Sequence, residues 1–81
     1  MKFVFTERAL RDYRNLSSSL QARVDKQLAL LLRNQNYPSL HAKKYDASRD
    51  IWQARVDRIY RFYFCIAEDT YKIISITPHP K

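Results

Sequence analysis

Residues 51–64 read Ile51-Trp52-Gln53-Ala54-Arg55-Val56-Asp57-Arg58-Ile59-Tyr60-Arg61-Phe62-Tyr63-Phe64, and the periodicity changes midway along them. In the first half Trp52, Ala54 and Val56 alternate with Gln53, Arg55 and Asp57. A period of two marks a strand with one face on a core and the other toward water. Asp57-Arg58 is a candidate turn. From Ile59 to Ile66 the chain is almost wholly apolar or aromatic, with Arg61 its lone charge. That composition predicts a central strand covered on both sides.

Working outward, Ala67-Glu68-Asp69-Thr70 reads as a hairpin turn and Tyr71 to Thr77 as the last strand. On the other side, residues 37–50 are polar and aperiodic, a loop with one short strand at Ala42 to Tyr45. Before it, Leu20, Val24, Leu28, Leu31, Leu32 and Gln35 recur at helical spacing, with Ala22 and Ala29 alongside. This helix ends at about Asn34, ahead of Asn36-Tyr37-Pro38. Ser17-Ser18-Ser19 separates it from a shorter helix, Glu7 to Asn15, with an apolar stripe of Leu10, Tyr13 and the boundary residue Leu16. Thr6 is its N-cap and puts Glu7 in the first turn, where the helix dipole favours an acid. Lys2 to Phe5 is a strand with Phe3 and Phe5 on one face. The expected fold is α+β in the order β-α-α-β-β-β, a helical hairpin on one face of a small, mainly antiparallel sheet.

At 81 residues the chain has room for a single domain, 1–81, with a modest core and a stability of a few kcal/mol. Trp52, Phe62, Phe64 and the leucines of the second helix are the core candidates, and Cys65 is expected to be a small buried hydrophobe. The absence of glycine rules out the Gly-rich loops that cradle phosphates and leaves turns to Asn, Asp, Ser and Pro. One cysteine excludes an internal disulfide framework and points to a reducing compartment. No apolar run nears the roughly 20 residues of a membrane span, and the early charges of the N-terminus do not suit a signal peptide. A soluble cytoplasmic protein is expected. Two His, one Cys and scattered acids show no metal-ligand spacing, so neither metal nor other cofactor is expected.

Lys and Arg number 15 against 8 Asp and Glu, a net charge of +7, and nine of the 15 are Arg. Arg makes forked contacts to phosphate that Lys does not. Polyanions are therefore the expected partners: nucleic acid, an acidic protein segment or, less aptly, an anionic membrane.

The element order, length and charge resemble the RelE/ParE superfamily, the toxins of type II toxin–antitoxin systems. Residues 51–64 resemble that family's twin central strands, where a strand with an outward Arg turns into an aromatic-rich strand reading Tyr-Arg and then apolar residues. Leu40-His41-Ala42-Lys43-Lys44-Tyr45 resembles the preceding segment, in which a Leu opens a loop carrying basic residues. Ile74-Ser75-Ile76-Thr77-Pro78-His79 resembles the last strand, which in several members ends in a functional His. Some members cleave mRNA, generally on the ribosome, others poison DNA gyrase, and some have lost activity.

Cleaving RNA without a metal requires a base for the 2′-OH proton, an acid for the leaving 5′ oxygen and cations for the phosphorane-like charge. The resemblance implies that Arg55 contacts the scissile phosphate. Arg61, a charge in an apolar strand, must pair with an acid, reach the sheet surface or face the substrate. His79 is the natural general acid, and His41 is a candidate second proton-transfer group. Lys43, Lys44 and the exposed turn residue Arg58 are candidate phosphate contacts, and Tyr45 and Tyr37 are candidate base-stacking groups. The bland alternatives are solvated charges, loop histidines and tyrosines packed on the core. Two departures from the family pattern stand out: Pro80 and Lys81 follow His79 where several relatives have an aromatic, and no Glu is in the loop as base, leaving Asp46 or Asp50 for that role.

The resemblance thus implies a metal-independent mRNA endoribonuclease, acting on the ribosome and inhibited by an acidic, partly disordered antitoxin. DNA would be met only through the antitoxin complex. The alternatives are a gyrase poison, which would not need the two histidines, and an inactive relative that only binds antitoxin or RNA.

Overall fold

A computed structural model describes residues 1–79; Pro80 and Lys81 lie outside the described residues. Seven regular elements follow one another: β1 (Lys2–Phe5), α1 (Glu7–Arg14), α2 (Ser18–Arg33), β2 (Lys43–Asp46), β3 (Ile51–Arg55), β4 (Tyr60–Ala67) and β5 (Thr70–Pro78). The fold is α+β in the expected order, and the short strand foreseen between 37 and 50 is β2, displaced by one residue. Single 3₁₀ turns at Pro38–Leu40 and Ala47–Arg49 fill the rest of that segment.

The strands form one sheet in the order β1-β5-β4-β3-β2. β1 runs parallel to β5 and every other pair is antiparallel. The two helices begin where the chain supplies caps. Thr6 Oγ1 accepts from the Ala9 amide at 3.1 Å, and Ser17 Oγ from that of Leu20 at 3.2 Å.

The core lies between the helices and one sheet face: Val24, Leu28 and Leu31 of α2 meet Ala54, Phe62, Phe64, Ile73 and Ile76. In α1 the buried residue is Ala9, and Tyr13 and Leu16 of the expected stripe pack against the core, whereas Leu10 is 39% exposed. The reason is close approach. Asp12 Oδ2 accepts from the Ile76 amide at 3.0 Å, which draws α1 against β5. Thr6 Oγ1 donates to the Ile74 carbonyl at 2.9 Å. Both contacts flank the irregularity where β5 places Ile74 as an additional residue between the partners of Tyr63 and Phe64. Side chains of α1 and its cap thus serve backbone groups at the bulge.

A second correction concerns β4. As the middle strand it is covered by helices on one face only. On the other, Arg61 and Tyr63 are each 8% exposed, screened by side chains of neighbouring strands and not by a further layer. Cys65, on that open face by alternation, is half-buried and not a core residue.

Candidate active site

The open sheet face carries the groups that could act on a ligand. On β3, Gln53 and Arg55 share it, and on β4, Arg61 and Tyr63 do. The ladder pairs Lys43 with Gln53, Arg55 with Arg61, and Arg61 with Thr77, so residues from four strands meet in register.

The turn between β3 and β4 is built on Asp57, whose Oδ1 accepts from the amides of Ile59 at 2.8 Å and Tyr60 at 2.7 Å. Burial pushes the Asp57 carboxyl up, but these amides with Arg23 and Arg61 nearby outweigh it and hold it below its ordinary value. Asp57 is therefore a structural anion. Arg61 Nη1 donates to the carbonyls of Asp57 at 2.6 Å and Tyr60 at 2.9 Å, which aims the guanidinium along the open face, and among the described residues no acidic side chain forms an ion pair with it. Of the fates open to Arg61, the structure selects the sheet surface.

The two histidines reach the same place from opposite sides. His41 follows the Pro38–Leu40 turn in a left-handed conformation with φ 48°, its amide donating to the Pro38 carbonyl at 3.2 Å. Its neighbour Leu40 is fully buried and anchors the loop. His79 directly follows β5, with its amide donating to the Ile59 carbonyl at 2.6 Å.

His41, Lys43, Gln53, Arg55, Arg61 and His79 line one groove of about 470 Å³ with no acidic side chain among the described residues of its lining. Arg55 Nε is buried there without a hydrogen-bond partner among the described residues. Arg55 also forms the wall toward a neighbouring hollow of about 630 Å³ lined by Arg23, Asp57, Arg58 and Ile59. Arg58 is therefore exposed beside the groove rather than in it.

Four expectations fall outside the groove. Lys44 is turned away: its ammonium pairs with Asp50 and lies 5.0 Å from the centroid of the Trp52 ring. Tyr45 is on the open face but next to the groove, edge-to-face on Tyr63 at 4.9 Å. Neither candidate base lines the groove. Asp46 caps the Ala47–Arg49 turn, and hydrogen bonds from Ser48 and then Arg49 hold its carboxyl at about 2, so it is a poor proton acceptor. Asp50 is engaged with Lys44. Tyr37 is exposed and lines none of these hollows.

Some residues of the site escaped the sequence reading. Gln27 of α2 is buried, and its Nε2 donates to the carbonyls of Arg55 at 2.8 Å and Ser39 at 3.2 Å, tying the helix to β3 and to the turn that precedes His41. The signal was a polar residue between Val24 and Leu31 on the apolar stripe. Gln53 and Thr77 were ordinary strand positions until the register placed them beside Arg55 and Arg61. Among the described residues no three His, Cys, Asp or Glu side chains cluster as a metal site, and no helix is long and apolar enough to cross a membrane.

No protein-family model matches the sequence, and no curated protein matches it either. Solved structures do. A YoeB/ParE toxin from Agrobacterium tumefaciens superposes with a TM-score of 0.83 at 15% identity, over 99% of this chain and 100% of that one. A chain of the intact Escherichia coli RelBE toxin–antitoxin complex gives 0.74 at 20% identity, over 98% and 96%. YafQ from E. coli BL21(DE3) gives 0.78 at only 8% identity, over 95% and 91%. Likeness that survives at such low identity is a likeness of backbone architecture, and in that architecture the chain has the RelE-like α+β fold of these toxins.

Proposed function

We propose that this protein is the toxin of a type II toxin–antitoxin system, a single-domain RNA endonuclease that works from the groove between His41 and His79. The observation that carries this reading is the convergence of two histidines, two arginines and a lysine on one groove, with no acidic side chain among the described residues that line it. In this reading the two histidines divide the proton transfers. One takes the 2′-OH proton and the other, His79, protonates the leaving 5′ oxygen. Arg55 and Arg61 face the charge that gathers on the phosphate in flight, where fixed cations in a partly buried site are most effective. Lys43 holds an adjacent phosphate. A groove walled by cations repels a divalent metal, so the protein's own guanidinium groups supply the electrostatic stabilisation.

The proposed inhibitor is an acidic antitoxin, suited to a net charge of +7. Complexes among the fold relatives, RelBE of E. coli and a heterotetrameric YoeB-YefM toxin–antitoxin assembly of Staphylococcus aureus, support that pairing. The proposed target is mRNA on the ribosome in the cytoplasm, with DNA reached only through the antitoxin complex.

The test is to induce the chain alone and follow growth and mRNA integrity, beside Arg55→Ala and His79→Ala. Arrest with mRNA cut at discrete sites, lost in both variants, is the expected result. Arrest with intact mRNA and damaged DNA, unaffected by His79→Ala, would overturn the nuclease in favour of a gyrase poison.

A further inference from the structure

Beside the groove, on the same open face, lies a second hollow of about 470 Å³ that the proposed chemistry does not use. Tyr63 of β4 and Ser75 and Thr77 of β5 line it, Tyr45 of β2 stands on one side and Arg49 on its border. Tyr45 packs edge-to-face on Tyr63 at an interplanar angle of 66°, yet remains 56% exposed. An aromatic ring is thus fixed in orientation by a buried neighbour and still open to a ligand.

The two hollows adjoin through the ladder. Thr77 in the second is the partner of Arg61 in the first, and Tyr63 in the second is the partner of Gln53 in the first. Same-face neighbours along a strand are about 7 Å apart. A group held against Tyr63 is therefore one such step from a phosphate held at Arg61.

We infer that this second hollow binds a nucleobase of the same RNA strand, its flat face on Tyr45 and its polar edge toward the hydroxyls of Tyr63, Ser75 and Thr77. The inference rests on the reading of the groove as an RNA site. Its own support is the chemistry of the lining. Base stacking on an aromatic side chain tolerates any sequence, while hydroxyls that both donate and accept can meet a base edge of either polarity. Burial first, and then Tyr45, raise the pKa of the Tyr63 phenol, which keeps it a donor. Arg49 adds a guanidinium at the border, although its Nε is bonded to Asp46 at 2.8 Å.

The experiment compares two short probes by fluorescence anisotropy at low salt: a 2′-O-methyl RNA oligomer, which lacks the attacking hydroxyl, and its abasic counterpart with the same phosphates. Tyr45→Ala should bind the base-bearing oligomer about tenfold more weakly and the abasic one unchanged, and Tyr45→Trp should restore the difference. Tyr45→Ala that binds both oligomers like the wild type, or loses both equally, overturns the base site. If Arg55→Ala still weakens both probes in that case, the phosphate groove stands without it. A wild-type protein that binds neither probe overturns the groove and the base site together.

Discussion

Arg55 and Arg61 face each other as ladder partners across β3 and β4, and among the described residues neither forms an ion pair with a carboxylate. Like charges directly opposite on a sheet are destabilising, by about 0.2–1 kcal/mol. Arg61 recovers two carbonyl contacts, but Arg55 Nε has none among the described residues. The pair is therefore a source of strain in the free protein and of attraction for an anion. Arg55→Met should leave the protein as stable or up to about 1 kcal/mol more stable, while abolishing RNA cleavage. Urea unfolding checks this, and a loss beyond about 1 kcal/mol would mean that Arg55 is a structural residue.

Gln27 makes the complementary case, a buried polar side chain whose removal should cost stability. Gln27→Leu keeps a side chain of similar bulk but leaves the carbonyls of Arg55 and Ser39 without that donor. The expected loss is about 1–3 kcal/mol in urea unfolding. A variant as stable as the wild type would show that water replaces the amide at no net cost.

The neighbouring lysines should behave differently despite adjacent positions. Lys43 lines the groove, whereas Lys44 is occupied by Asp50 and Trp52. Each phosphate contact to a single strand adds about 0.7 to the slope of log K against log salt. Lys43→Ala should lower that slope by about this amount, and Lys44→Ala should not. Equal changes in a salt titration of RNA binding would contradict the orientation of β2.

His79 is exposed, so His79→Ala should leave the thermal midpoint unchanged. Loss of a general acid lowers a rate by roughly 10²–10⁴-fold, and single-turnover cleavage should fall within that range. An unaltered rate would remove His79 from the proposed mechanism.

Asp46 sets a pH expectation whose sign follows from linkage. Its carboxyl is held at about 2, below the ordinary 3.8, by bonds from Ser48 and Arg49. A depressed carboxylate contributes stability that is fully present above its unfolded value and lost as pH falls through the folded one. Asp46→Asn should therefore lower the thermal midpoint at neutral pH, and the gap from wild type should close between about 4 and about 2. A gap that is constant across that window would show that the capping geometry, and not the charge, matters.

Element types and their order follow from local sequence, because the chain carries the two periodic signals that define them. Period two at Trp52–Val56 and helical spacing through Val24, Leu28 and Leu31 are local properties, and side-chain burial enforces them residue by residue. Local pattern also named the groove's charged residues, because Arg and His in or beside apolar strands are conspicuous. Which of those groups meet depends on the folded sheet. Lys43 and Lys44 are equivalent as letters, but alternation along β2 sends one into the groove and the other onto Trp52. The composition of β4 read as buried on both faces, because screening of Arg61 and Tyr63 by neighbouring strands leaves the same apolar signature as a second layer of helices. Gln27, Gln53 and Thr77 became part of the site only through register and helix docking. Those are set by the packing of the whole core and the bulge at Ile74, which no local stretch of sequence contains.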